Sequence, residues 1–212
     1  MSTNAPGATG IKSPGATSTK SPGATSTTYP GFADPVLDAQ ASFRAVLQAM
    51  SRPGQVQRVP HPPELPPGLS PAAAAVLLTL VDAETRLCLN AGPVAEAWVR
   101  FHCGAPLVAA GAAQFVLDSE AGLLALDPGN EEEPERGATL ILEVAALAEG
   151  SGWKLTGPGI RDEHRLQVNG APANFLADWV TNRARTPCGV DVILCAGDAI
   201  AALPRSVAIE EG

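Results

Sequence analysis

ATLILEV, at residues 138–144, is the stretch of this 212-residue sequence that decides the fold. It is β-favouring and almost continuously apolar, the pattern of a strand that is buried on both faces of a sheet. VDVILC at residues 190–195 repeats that pattern. Shorter strands are predicted at residues 55–59, 85–89, 106–108, 114–117, 153–156, 199–203 and 206–209, and helices at residues 35–51, 71–82, 93–103 and 172–185. This alternation predicts an α/β fold, a layered αβα sandwich, and the hairpin at residues 197–198 makes its central sheet mixed.

The first helix is predicted from DPVLDAQASFRAVLQAMSRPG at residues 34–54. Asp34 is suited to cap the helix and Pro35 to its first position. A buried stripe at helical spacing is predicted for Phe43, Val46, Leu47 and Met50. The opposite, polar face consists of Gln40, Arg44 and Gln48. The third helix has an apolar stripe of its own, formed by Val94, Ala97, Trp98 and Phe101.

Composition limits the partners. The chain has 22 Asp and Glu against 14 Lys and Arg, a net charge of -8, which argues against nucleic acid or an anionic membrane surface as the main partner. The four cysteines form no CxxC pair, which predicts a reduced, cytoplasmic protein. The sequence has neither a bilayer-spanning apolar run nor an apolar signal segment at its N-terminus.

The N-terminus differs in composition from the rest. PGAT occurs at residues 6–9, 14–17 and 22–25, with a period of eight residues. A segment of Pro, Gly, Ser, Thr and Ala has almost nothing to bury, so residues 1–30 are predicted to be a disordered tail. Residues 31–212 are predicted to form a single α/β domain.

Several stretches occur together in the order expected of one family. They are DAQASFRAVLQAMSRPG at residues 38–54, RFHCGAPL at residues 100–107, GATLILEV at residues 137–144, LTGPGI at residues 155–160 and TPCGVDVILCAGDAIAALPRS at residues 186–206. In the identity and order of these stretches the chain resembles the PhnH family. Members of this family are subunits of the bacterial carbon–phosphorus lyase system for organic phosphonate catabolism.

The resemblance implies a function within a complex. Such a subunit would join PhnG, PhnI and PhnJ in the core assembly that forms ribose 1-phosphonate 5-triphosphate from nucleoside triphosphate and phosphonate. Its role would be accessory or interface-building, and it would be a homodimer in isolation. The alternative is a free-standing small-molecule enzyme on a transferase-like fold.

The resemblance also implies a fold like the large domain of pyridoxal-phosphate-dependent transferases. Pyridoxal phosphate needs a lysine for its Schiff base. The predicted domain has one, Lys154, beside Trp153 in a short strand, and nothing around it has the pattern of a cofactor site. We therefore expect no cofactor, and no metal site, because His61, His102 and His164 lack ligand spacing.

The candidate site residues lie within the matching segments. Those for anion binding or an interface are Arg44, Arg52, Arg100, His102, Asp191 and Arg205, and Gly157 and Gly159 form a candidate phosphate turn. Arginine binds phosphates and carboxylates bidentately. The same arginines could instead form ion pairs with Asp34, Asp38 or Asp191, His102 could serve the helix dipole, and the glycines could form a plain turn. Asp191, a charge in an apolar strand, needs a partner such as arginine.

The composition of the tail gives a first prediction. Deletion of residues 1–30 should leave the melting temperature of the protein nearly unchanged, because a segment that buries little contributes little stability. Thermal unfolding of the two chains, followed by circular dichroism, measures this. A drop of many degrees would show that the tail packs on the domain.

Overall fold

The structure is a computed structural model that describes residues 1–3, 29–118 and 121–212. The helices are α1 (Pro35–Ser51), α2 (Pro71–Leu80), α3 (Pro93–Cys103) and α4 (Phe175–Arg183). The strands are β1 (Gln57–Arg58), β2 (Leu87–Leu89), β3 (Phe115–Leu117), β4 (Thr139–Glu143), β5 (Ala146–Thr156), β6 (His164–Asn169), β7 (Asp191–Ala196), β8 (Ala199–Leu203) and β9 (Ala208–Glu210). The predicted tail lies outside the described residues except at its ends.

Six strands form the central sheet, in the order β1-β8-β7-β4-β3-β2. Strands β2, β3, β4 and β7 are parallel to one another, whereas β8 is antiparallel to both β7 and β1. The predicted mixed sheet is therefore confirmed, and the hairpin at residues 197–198 is the element that makes it mixed. The two stretches that decided the prediction, β4 and β7, lie side by side, with Ile141 opposite Ile193.

Two separate hydrophobic cores cover the two faces of this sheet. Ile141 and Ile193 belong to the core beneath α1, α2 and α3. Leu140 and Leu194 belong to the core on the opposite face, which α4 and a second sheet cover. The second outer layer thus differs from a helical layer of an αβα sandwich, since much of it is β-structure.

The second sheet is antiparallel, with the order β6-β5-β9. From the sequence, only residues 153–156 of β5 were predicted as a strand and none was predicted at residues 164–169, and both predictions were wrong. Glycines explain the miss, because Gly150 and Gly152 both have positive φ and accompany a β-bulge between Glu149 and Trp153. Glycines within a strand resemble a turn in the sequence, although here they bend a continuous strand.

Helix α1 has the predicted caps but a different buried face. The Asp34 carboxylate accepts hydrogen bonds from the Val36 and Leu37 amides. The buried residues are Ser42, Val46 and Ala49. Phe43 and Leu47, predicted to be buried, are 52% and 57% exposed. The small Ser42 and Ala49 side chains let the helix lie close to the sheet, and this turns the two larger side chains outward.

The buried face of α3 also differs from the predicted one. Trp98 is buried as predicted, but Val94 and Phe101 are 45% and 73% exposed. Residues before α1 pack on this helix: the Trp98 indole N–H donates to the carbonyl oxygen of Pro30, and Tyr29 packs against the core. Deletion of residues 1–30, as predicted from the sequence, would also remove these contacts, so the deletion that tests the tail alone removes residues 1–28.

A charged pair joins the end of the hairpin to β7. Asp191 accepts hydrogen bonds from the backbone amide and from two guanidinium nitrogens of Arg205, the shortest at 2.6 Å. Another guanidinium nitrogen donates to the carbonyl oxygen of Pro134 at 2.6 Å. The two side chains are only 17% and 14% exposed. Each charge offsets the desolvation of the other, so the loss of one partner leaves a buried charge without compensation.

We expect Asp191→Ala to lower the free energy of unfolding by about 3 kcal/mol, the cost of breaking a buried ion pair. Asp198→Ala is the matched control, because Asp198 lies in the turn of the same hairpin and forms an exposed ion pair with Arg58. The loss of this exposed pair should cost less than about 1 kcal/mol. Urea denaturation measures both changes. Equal, small losses for the two variants would contradict a stabilising role for the Asp191 pair.

Candidate functional site

A polar cleft of about 300 Å³ lies where the turn after α1 meets the connection between β5 and β6. Its lining consists of Arg52, Pro53, Gln55, Gly159, Ile160, Arg161, Glu163 and His164. Two residues singled out from the sequence, Arg52 and Gly159, therefore line the same cleft although they are far apart in the chain. We call this site the Arg52–Arg161 cleft.

Two glycines make the close approach of the cleft walls possible. Gly159 has a φ of 82°, and a side chain there would overlap the carbonyl oxygen of Ser51. Gly54, with a φ of 87°, lies against Leu155 and His164 in the same way. Only glycine combines this backbone conformation with so little space. The turn after α1 is thereby held against the β5–β6 hairpin.

The cleft offers two unpaired positive charges. Arg52 and Arg161 are exposed and make no ion pair with any other residue that the structure describes. Glu163 carries the opposing charge, but its carboxylate lies 3.4 Å from Arg165. The partial negative charge at the C-terminus of α1 disfavours an anion here, so the two guanidinium groups must supply the attraction.

One wall of the cleft is fixed by Glu149. One of its carboxylate oxygens accepts a hydrogen bond from the Val56 amide at 2.8 Å. The other lies 3.3 Å from Nε2 of His164, without the geometry of a hydrogen bond. This nitrogen is buried, and no described residue satisfies it by hydrogen bonding. This nitrogen of His164 therefore faces the Glu149 carboxylate within the wall, and the two form an ion pair only when the imidazole is protonated.

The phosphate turn at residues 157–160 contributes less than its sequence suggests. The Ile160 amide donates to the carbonyl oxygen of Gly157 at 3.1 Å, so this N–H already has an acceptor within the turn. Pro158 has no N–H. Gly157 does not line the cleft, whereas Gly159 does. The turn shapes the wall, and the arginine side chains supply its charge.

The other candidate residues lie elsewhere. Arg44 and Arg100 are exposed on α1 and α3. Nε2 of His102 lies 3.1 Å from the carbonyl oxygen of Tyr29, and its ring contacts the rings of Trp98 and Phe101. Because a carbonyl oxygen only accepts, Nε2 carries the proton in this contact. Asp191 and Arg205 are committed to one another in the buried pair described above.

Lys154 does not fit a pyridoxal phosphate site. Its ammonium group lies 2.5 Å from the Glu210 carboxylate, and the hydrogen bond to Glu210 raises the pKa of Lys154. A lysine that forms a Schiff base needs a lowered pKa instead.

The cysteines with perturbed titration are poor nucleophiles. Burial, with a smaller contribution from Asp82, raises the pKa of Cys103 to about 11. Burial raises the pKa of Cys195 and of Cys88 as well. These thiols stay protonated near neutral pH, and the thiolate is the reactive form. Among the described residues, no group of three or more His, Cys, Asp or Glu side chains is arranged to hold a metal ion.

Sequence reasoning missed Arg161 and His164. A signal for Arg161 was available, because it follows the turn glycines directly in GPGIR at residues 157–161. His164 gave none, since its segment was not predicted to be a strand.

In the described part of the chain, no helix combines the length and the apolar character that a membrane crossing requires.

Comparison with known proteins gives consistent matches. The family model for PhnH, bacterial phosphonate metabolism protein, matches residues 30–210. A protein of Rhizobium meliloti (strain 1021), alpha-D-ribose 1-methylphosphonate 5-triphosphate synthase subunit PhnH, is 36% identical over 84% of this chain and 94% of its own length. The putative C-P lyase subunit protein HtxG of Stutzerimonas stutzeri is 37% identical over 80% of this chain and 85% of its own. The match covers nearly the whole domain, and the chain therefore belongs to the PhnH family of bacterial phosphonate metabolism proteins.

Proposed function

We propose that this chain is a subunit of the carbon–phosphorus lyase core complex, which forms ribose 1-phosphonate 5-triphosphate from nucleoside triphosphate and phosphonate. The observation that carries the proposal is the similarity to a synthase subunit over 84% of this chain and 94% of that protein. Its partners would be PhnG, PhnI and PhnJ, and its location the cytoplasm. In isolation it would be a homodimer, and its fold would resemble that of pyridoxal-phosphate transferases.

An accessory or interface-building role is favoured over an independent active site. Burial raises the pKa values of Cys88, Cys103 and Cys195, so these thiols are poor nucleophiles, and Asp191 is paired with Arg205. The cleft offers cationic and hydrogen-bonding groups, which bind and orient a ligand. A free-standing enzyme would need a reactive group beside these binding groups.

Co-purification tests the assignment to the complex. The tagged full-length protein is expressed in its native host under phosphate starvation, and we expect PhnG, PhnI and PhnJ to be recovered with it in fixed stoichiometry. Growth on phosphate provides the control, because phosphonate is then not needed as the phosphorus source. A chain that always elutes alone, and turns over a small substrate unaided, would establish the free-standing enzyme instead.

We further propose that the Arg52–Arg161 cleft binds a phosphate or phosphonate group of the material that the complex processes. Two exposed guanidinium groups without ion pairs to described residues support this proposal, as does the adjacent Gln55 side chain.

Calorimetric titration with inorganic pyrophosphate tests the cleft. The double variant Arg52→Gln/Arg161→Gln should bind about a hundredfold more weakly or worse, because it removes two charged hydrogen bonds that are each worth about 1.5–3 kcal/mol. Arg136→Gln is the control, since this exposed arginine pairs with Glu133 outside the cleft. Unchanged binding by the double variant, or no binding by the wild-type protein, would exclude the cleft as an anion site.

A further inference from the structure

The outward face of α1 is apolar to an unusual degree. Val36 and Leu37 are 64% and 61% exposed, and Phe43 and Leu47 are more than half exposed. Among the described residues, the exposed large apolar side chains that belong to helices lie on α1 and α3, with the exception of Val180 on α4. Exposed apolar side chains that lie together on a protein surface often mark an interaction site. We call this surface the outer α1 face.

The spacing of these side chains suits a helical partner. Val36, Phe43 and Leu47 are separated by seven and four residues, so they form one seam along the helix. A seam with this period accepts the side chains of a second helix that lies along it. The same seam has no role in the fold, because the buried face of α1 is formed by other residues.

A groove beside the seam provides a place for an inserted side chain. It has a volume of about 380 Å³ and lies between α1 and the end of α2. Ala39, Gln40, Phe43, Arg44 and Thr79 line it. The small side chain of Ala39 leaves room beside the ring of Phe43, and Arg44 contributes the charged side chain of the lining. Buried anchors of this kind, inserted into a groove, dominate the energy of most interfaces.

Arg44 is the charged residue among those that line this groove, although the chain as a whole carries a net charge of -8. Arg44 is exposed and has no ion pair with a described residue. The two acids of this part of the chain, Asp34 and Asp38, lie at the N-terminal end of α1, where Asp34 caps the helix and Asp38 accepts a hydrogen bond from the Asp34 amide. A complementary partner therefore carries carboxylates beside its apolar side chains.

We infer that the outer α1 face binds an acidic amphipathic helix of another protein subunit, with an apolar side chain in the groove and a carboxylate paired with Arg44. The inference rests on the proposed function, because it supplies the surface through which this subunit joins the complex. A second copy fits less well, since two outer α1 faces would bring Arg44 of each copy into the same interface. The homodimer proposed above would then use a different surface.

The experiment uses the full chain co-expressed with tagged PhnG, PhnI and PhnJ from the same host. Phe43→Ser/Leu47→Gln removes the apolar seam, and Arg44→Glu reverses the charge. Val180→Gln is the matched control, because Val180 is 64% exposed on the opposite layer. We expect both outer-face variants to bind the other subunits about tenfold more weakly or worse, and the control to bind normally. The defect of Arg44→Glu should be largest at low salt, where charge attraction is least screened.

The outcomes separate this inference from the proposed function. If the wild-type chain recovers the other subunits and both outer-face variants do so equally well, the inference is wrong while the proposed function stands. If the wild-type chain recovers none of them, the proposed function fails first. Size-exclusion chromatography with light scattering tests the second copy: variants that lose only self-association, and still bind the other subunits, would assign the face to a homodimer and overturn the inference. Unfolding curves for every variant establish that each is folded, which the exposure of the substituted side chains predicts.

Discussion

The burial of both faces of the central parallel strands is the constraint on which the rest of the structure depends. In β4 and β7, consecutive side chains enter two different cores, so neither face of the sheet can be left to solvent. Helices α1, α2 and α3 cover one face, and α4 with the second sheet covers the other. A charged side chain in these strands is tolerated only with a partner of opposite charge, and Asp191 has one in Arg205.

Helix α1 links this packing to both surfaces that we propose to bind a ligand or a partner. Its inner face, formed by small residues and Val46, lies on the sheet. Its C-terminal turn forms a wall of the Arg52–Arg161 cleft, held there by glycines that allow close backbone contact. Its outer face carries the apolar seam and Arg44. The narrow inner contact is the reason that so much of the helix remains available to ligands and partners.

The candidate site was only partly predictable from the sequence. Arg52 and Gly159 were predicted because each lies in a matching segment with suitable chemistry, but only the β5–β6 hairpin places them in one cleft. Arg161 and His164 were missed because the strand that positions His164 contains no strong apolar pattern and follows a bulged partner. Arg205, predicted as a possible anion ligand, proved to be engaged by Asp191 and Pro134.

Local chemistry allowed the sequence by itself to determine the bounds of α1 and α3, the start of α2, the central strands and the family, whereas α4 is shorter at both ends than predicted. Asp34 and Ser70 cap their helices through hydrogen bonds to nearby amides, and Gly104 ends α3 in a left-handed conformation, all within a few residues. Only the tertiary structure decided which side of α1 is buried. Apolar residues occupy a wide arc of this helix, so its period permits more than one orientation, and close packing of small side chains against the sheet selects the one that leaves Phe43 and Leu47 exposed.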